Sequence, residues 1–159
     1  MNTRDITLYI NEEEYNLTVD ANETLLQTLR GVGSTGTKYG CGTGECGACT
    51  VLVDGKTSIL ACLTLSALSD GMHITTIMGL EKDGELHPVQ EAFIDRHAIQ
   101  CGFCTPGMVM KTVSILDDNP NPTEDEIRHE LEGNMCRCTG YEKIVDAVKH
   151  ASELMKEKD

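Results

Sequence analysis

The chain has no tryptophan, only two phenylalanines and only four prolines in 159 residues. Its core must therefore be filled by aliphatic and sulfur-bearing side chains. Basic residues are scarce too: 13 against 26 acidic ones give a formal net charge of −13. Such a surface repels nucleic acid and anionic membrane, and no dense Lys/Arg block offsets it, so a nucleic-acid role is not expected. No apolar run suits a signal peptide or a membrane span. The expected setting is the cytoplasm, where thiols are kept reduced. Against these shortages stand eight cysteines and fifteen glycines. Eight thiols in a reducing compartment point to metal rather than to disulfides.

The length suits one medium domain or two small ones, and the pattern changes along the chain. Ile6 to Ile10 and Tyr15 to Val19 alternate about a turn at Asn11-Glu12-Glu13, a hairpin signature. Thr24 to Arg30 has helical spacing and ends at Gly31, a candidate C-cap. After a glycine-dense loop, Ala48 to Val53 turns at Asp54-Gly55 into Ser58 to Leu63, and Met72 to Ile77 forms a further strand. Glycine and charge around Met78 to His87 mark a connector, with domains expected at 1–78 and 88–159 and a linker at 79–87. Beyond it the period is helical: Pro88 to Ala98, Pro106 to Asp117, Glu124 to Glu132 and Tyr141 to Lys156. Thr105 precedes Pro106 at a candidate N1 position, and Thr123/Glu126 and Thr139/Glu142 fit capping boxes. Cys104-Thr105 and Cys138-Thr139 lie 34 residues apart, which suits a pseudo-two-fold four-helix arrangement better than a solenoid.

Cys41, Cys46, Cys49 and Cys62 are spaced C-x4-C-x2-C-x12-C, the plant-type ferredoxin spacing, in which three close cysteines and a distant fourth hold a [2Fe–2S] cluster. Gly40, Gly42, Gly44 and Gly47 let the backbone approach and aim its amides at sulfur. Structural zinc prefers C-x2-C knuckles and fits this quartet poorly. Cys101, Cys104, Cys136 and Cys138 form C-x2-C, then C-x-C, in loops that precede helices. Helix N-termini suit an anionic cluster, yet this spacing alone fits zinc about as well as iron–sulfur.

Three segments taken together resemble the small iron–sulfur subunit of the molybdenum hydroxylases, the xanthine dehydrogenase/aldehyde oxidoreductase family. They are Gly40 to Val51, Gln100 to Gly107 and Asn134 to Tyr141, in matching order and separation. The resemblance implies an α+β fold, with a β-grasp ferredoxin domain followed by a four-helix [2Fe–2S]-binding domain. It implies a large molybdopterin-binding subunit and a medium FAD-binding subunit as partners in a higher-order complex. Electrons would run from the molybdopterin centre through the Cys101/Cys104/Cys136/Cys138 cluster, then through the Cys41/Cys46/Cys49/Cys62 cluster to FAD. The complex would hydroxylate an N-heteroaromatic, purine or aldehyde-type substrate. By the same likeness Gln100 and Cys138 face the pterin. The alternatives are the same wire run in reverse, as in an aromatic acyl-CoA reductase, or a zinc-binding interaction module without redox chemistry. The chain shows no catalytic constellation of its own.

Other residues have blander readings. His97, four residues before Cys101, reads as a solvated or capping histidine. Met108 and Met110 read as core. Phe103 and Tyr141 either shield the second quartet or pack in the core. Segment 31–36 is richer in glycine than the family pattern leads one to expect. The composition predicts a brown-red protein, bleached by dithionite, with about four irons and four sulfides per chain for two [2Fe–2S] clusters. A colourless protein containing zinc would contradict that.

Overall fold

Residues 2–158 are described by the computed structural model, an α+β chain of five strands and five α-helices among those residues. Strand β1 (Thr3–Ile10) pairs antiparallel with β2 (Glu13–Asp20). The Ile10↔Glu13 register leaves a two-residue loop, and Asn11 (φ 52°) and Glu12 (φ 72°) both adopt the left-handed conformation that matches strand twist. Asp54 (φ 52°) and Gly55 (φ 72°) are left-handed too, in the three-residue loop Asp54 to Lys56 between β3 (Thr50–Val53) and β4 (Thr57–Leu60). Strand β5 (His73–Thr75) completes the sheet in the order β2-β1-β5-β3-β4, parallel to β1 and antiparallel to β3.

Helix α1 (Leu25–Gly31) opens with a Thr24/Gln27 capping box and buries Leu25, Leu26 and Leu29. Its end differs from the expectation that Gly31 is the cap. Gly31 stays helical, Val32 is the C-cap, and Gly33 takes the left-handed position at φ 93°. The Ser34 amide donates to the Leu29 carbonyl (2.9 Å) and the Gly33 amide to that of Arg30 (3.2 Å), a Schellman ending. That accounts for much of the glycine in segment 31–36. A Cβ at Gly36 would lie 2.7 Å from the Ile77 side chain, which accounts for more.

The second half consists of α2 (Pro88–Asp95), α3 (Thr105–Asp118), α4 (Glu124–Glu130) and α5 (Glu142–Lys158). Helix α2 packs on α5 and α3, and α4 packs on α5. In α5, Ile144, Ala147, Val148 and Ala151 are fully buried at three- and four-residue spacing, the stripe of an amphipathic helix. The Thr123/Glu126 capping box forms as expected. Two other caps differ. Cys104 is the N-cap of α3, and Thr105 lies inside the helix. The Thr139 hydroxyl accepts from the Tyr141 amide (3.2 Å), while Glu142 pairs with Arg128 (2.9 Å), so these groups serve other partners than a capping box. His87 caps α2: its ring accepts from the Val89 amide, and Gln90 accepts from the His87 amide.

Between the halves, Gly79 lies so close to Asn11 that a Cβ there would overlap the Asn11 side chain. Asn11 also accepts from the Thr76 amide at 2.8 Å. Leu80 is buried in the helical core.

Two apolar cores result, one under the sheet and one among the helices. Leu52 of β3, with no exposed surface, belongs to the helical one. Helix α3 lies against β3 and β4, and the Ser58 amide donates to the Ser114 hydroxyl at 3.3 Å. The sheet thus supplies part of the wall against which the helices fold. Truncating Leu52→Ala should cost about 3 kcal/mol, a typical value for a buried leucine. Urea unfolding should show loss of sheet and helix signals moving together to lower denaturant. A shift confined to one signal would show that the two cores are energetically separate.

Candidate metal centres

The loop between α1 and β3 carries Cys41, Cys46 and Cys49, and Cys62 follows β4. Positive φ at Gly42 (71°), Gly44 (84°) and Gly47 (68°) folds this loop back on its own sulfurs. The amides of Thr43 and Glu45 donate to the Cys41 sulfur (3.4 and 3.3 Å), and the Cys41 amide donates to the Cys46 sulfur (3.4 Å). These bonds favour thiolate over thiol. The Thr43 side chain and amide, followed by the Cys46 amide, hold the exposed Cys41 thiol down at about 6. Cys49 and Cys62 are buried at the edge of the sheet core. Burial pushes the Cys49 thiol up to about 12, with the adjacent Cys62 sulfur adding to the rise.

The second quartet lies on two loops, one between α2 and α3 and one between α4 and α5. The Cys138 and Cys101 sulfurs are 3.7 Å apart. Burial pushes the Cys104 thiol up to about 12, and its hydrogen-bonded neighbour Cys136 adds to this. For Cys136, burial raises the thiol, but the Thr139 hydroxyl and amide outweigh it and the net shift is downward. One pair of sulfurs is in contact, Cys101 with Cys138; Cys62 raises the Cys49 thiol and Cys136 that of Cys104, and the Cys41 amide reaches the Cys46 sulfur. Among the described residues no three His, Cys, Asp or Glu side chains close on one ion-sized point. A two-iron centre, by contrast, takes its four thiolates two to each iron. Gathered thiolates that repel one another and receive amide donors suit a polycationic centre, so the residues present fit [2Fe–2S] clusters.

Six of the eight cysteines, all but Cys49 and Cys62, line one cleft of about 240 Å³ together with Ala48, Phe103 and Met135. The two quartets are thus neighbours, a relation that spacing alone does not reveal. Phe103 and Met135 are 50% and 59% exposed at its rim. Phe103 is therefore a surface residue of the cleft rather than core. Tyr141 is half-buried against the helical core, and its hydroxyl accepts from the Cys136 amide (2.8 Å) and donates to the Asn134 carbonyl (3.3 Å). That positioning role was missed from sequence; the six-residue step from Met135 to Tyr141 around a C-x-C pair was its only signal. Met108 and Met110 are fully buried, as expected. His97 is exposed and, at φ 54°, forms the left-handed turn after α2. Gln100 is exposed beside Cys101.

The fold and the gathered sulfurs define a ferredoxin-like electron carrier joined to a helical partner domain. Comparison with known proteins gives the same class. Residues 8–72 match the family described as 2Fe-2S iron-sulfur cluster binding domain, and residues 76–149 match the [2Fe-2S] binding domain. The chain is 49% identical over 148 residues to the nicotine 6-hydroxylase small subunit of Paenarthrobacter nicotinovorans, covering 92% of this chain and 88% of the relative. It is 43% identical over 154 residues to the nicotinate dehydrogenase small FeS subunit of Eubacterium barkeri, covering 96% and 98%. In structure it is similar to a chain of quinoline 2-oxidoreductase from Pseudomonas putida 86, with a TM-score of 0.92, 42% identity and coverage of 99% and 98%. The chain belongs to the iron–sulfur small-subunit family of the molybdenum hydroxylases and is an electron-transfer subunit of an oxidoreductase, with two [2Fe–2S]-binding domains.

Gly40 gives a local test, because a Cβ there would lie 2.6 Å from the Cys46 sulfur. Gly40→Ala should weaken or abolish the EPR signal of the first centre in the reduced protein and leave that of the second. Two unchanged signals would show that the loop has room to move.

Proposed function

We propose that Cys41, Cys46, Cys49 and Cys62 hold one [2Fe–2S] cluster, and Cys101, Cys104, Cys136 and Cys138 the other, in a molybdenum hydroxylase complex. The observation that carries this is the gathering of the sulfurs: six of them line one cleft, Cys101 and Cys138 are 3.7 Å apart, and Cys62 and Cys136 act on the Cys49 and Cys104 thiols. When bound, each cluster supplies a one-electron carrier. The chain's own residues orient the thiolates, donate amide hydrogen bonds to sulfur, and keep Cys49 and Cys62 away from water. Amides aimed at sulfur stabilise the more negative, reduced state and raise its potential.

The partners proposed are a large subunit carrying molybdopterin and a medium subunit carrying FAD. Gln100 and Cys138, both exposed, are assigned to the pterin-facing side. The direction is from the molybdopterin centre toward FAD: relatives named as a hydroxylase, dehydrogenases and oxidoreductases remove electrons from their substrates. Nicotine, nicotinate, quinoline, aldehyde and xanthine all occur in the relatives' names, and the proposed substrate is of the N-heteroaromatic, purine or aldehyde type. The proposed division is a ferredoxin-type unit at 1–78, a linker at 79–87 and a helical unit at 88–159. A cytoplasmic location accords with eight unpaired thiols, and no helix among the described residues is long and apolar enough to cross a membrane.

Cys101→Ser tests the ligand set and the division together. The reduced variant should lose the second centre's EPR signal, keep the first, and no longer accept electrons from the molybdopterin subunit. Retention of both signals would remove Cys101 from the ligand set, and loss of both would remove the division into independent units.

A further inference from the structure

The carbonyl of Gly47 lies between Cys46 and Cys49 in sequence and is met by the α4–α5 loop and by the first turn of α3. The Thr50 hydroxyl donates to it at 2.7 Å and the Thr50 amide at 3.1 Å. From the far side the Asn134 side-chain amide donates to it at 3.2 Å and to the Thr50 hydroxyl oxygen at 3.3 Å. Asn134 is buried, with 7% of its surface exposed, and lies two residues before Cys136. Gly107, three residues after Cys104, packs so tightly that a Cβ on it would overlap the same Gly47 oxygen. Alongside, the Met135 amide donates to the Cys46 carbonyl at 2.9 Å. One hydrogen bond thus joins a residue of the first quartet to the neighbour of Cys136 in the second.

We propose that Asn134 is a positioning residue for electron exchange between the two centres: by clamping the Gly47 carbonyl with Thr50, it sets the separation of the Cys46 and Cys136 loops and holds the Met135–Cys46 hydrogen bond closed. The inference rests on the cluster assignment proposed above. The junction passes one electron at a time, oxidising the centre on the Cys136 side and reducing the centre on the Cys46 side, with no bond made or broken. Each contact has a physical reason to be stiff. A buried amide side chain that loses its acceptors leaves unpaired polar groups behind. The two glycines remove any side chain that could separate the loops. A Cβ at Gly47 would lie 2.5 Å from the Asn134 amide nitrogen, and its φ of 68° already favours glycine.

The test uses the complex purified with its iron–sulfur centres in place, carrying Asn134→Ala, Thr50→Val or Thr50→Ser. Iron content and the g-values of each centre report whether the centres are intact. Magnetic coupling between the two reduced centres, seen as EPR splitting or broadening, reports their separation. The rate of electron equilibration after pulse-radiolytic reduction reports the exchange itself. Asn134→Ala and Thr50→Val should retain both signals with normal g-values but show altered coupling and slower equilibration. Thr50→Ser, which keeps the hydroxyl, should behave as the unsubstituted protein does. If Asn134→Ala fails to assemble, Thr50→Val decides, since it removes both contacts made by the hydroxyl in the clamp and leaves the backbone untouched. Unchanged coupling and rate in Thr50→Val would overturn the inference while leaving the cluster assignment standing. Absence of two iron–sulfur signals in the unsubstituted complex would instead remove the assignment, and this inference with it.

Discussion

Thiolates brought within a few ångströms of one another repel, and every feature around the eight cysteines can be read against that repulsion. At Cys49 and Cys104 burial above all, with neighbouring sulfurs adding to it, pushes the thiols up. The loops answer with amides aimed at Cys41, Cys46 and Cys136, made possible by left-handed glycines at 42 and 44 and by Thr139. A polycationic centre would complete the balance. The scaffold's task is to hold ligands close together that would separate if left to themselves.

The two halves meet this demand differently. The ferredoxin-type half uses a tight glycine loop across the end of a sheet, so that three cysteines come from one short segment and the fourth from the turn after β4. The helical half uses two loops far apart in sequence, brought together by helix packing, with the Tyr141 hydroxyl on the Cys136 amide fixing the shape of the second loop. Its geometry therefore depends on tertiary contacts, including the wall provided by β3 and β4. This dependence places the second quartet against the first and leaves Phe103 and Met135 exposed at the mouth of the shared cleft.

Sequence reading succeeded where local chemistry decides and failed where caps and loops serve tertiary partners. The Asp54-Gly55 hairpin, the Thr123/Glu126 box and the buried methionines follow from turn geometry, capping and volume, which neighbours alone dictate. The left-handed glycine that closes α1 is Gly33 rather than Gly31, because the Schellman bonds form from Gly33 and Ser34. The proposed Thr139/Glu142 box gave way because Arg128, from another helix, takes Glu142. Local pattern cannot weigh such a rival.

The sequence by itself determined the identity of the two cysteine quartets and the ferredoxin character of the first, because ligand spacing and glycine placement are properties of a short stretch of chain. It left the second quartet's chemistry open between zinc and iron–sulfur, and it was silent on how near the quartets lie to each other. That nearness was decided by the packing of α3 on β3 and by the meeting of Asn134 and Gly107 at the Gly47 carbonyl. The physical reason is that contacts between residues sixty or more positions apart form only when both cores are in place, and no local periodicity encodes them.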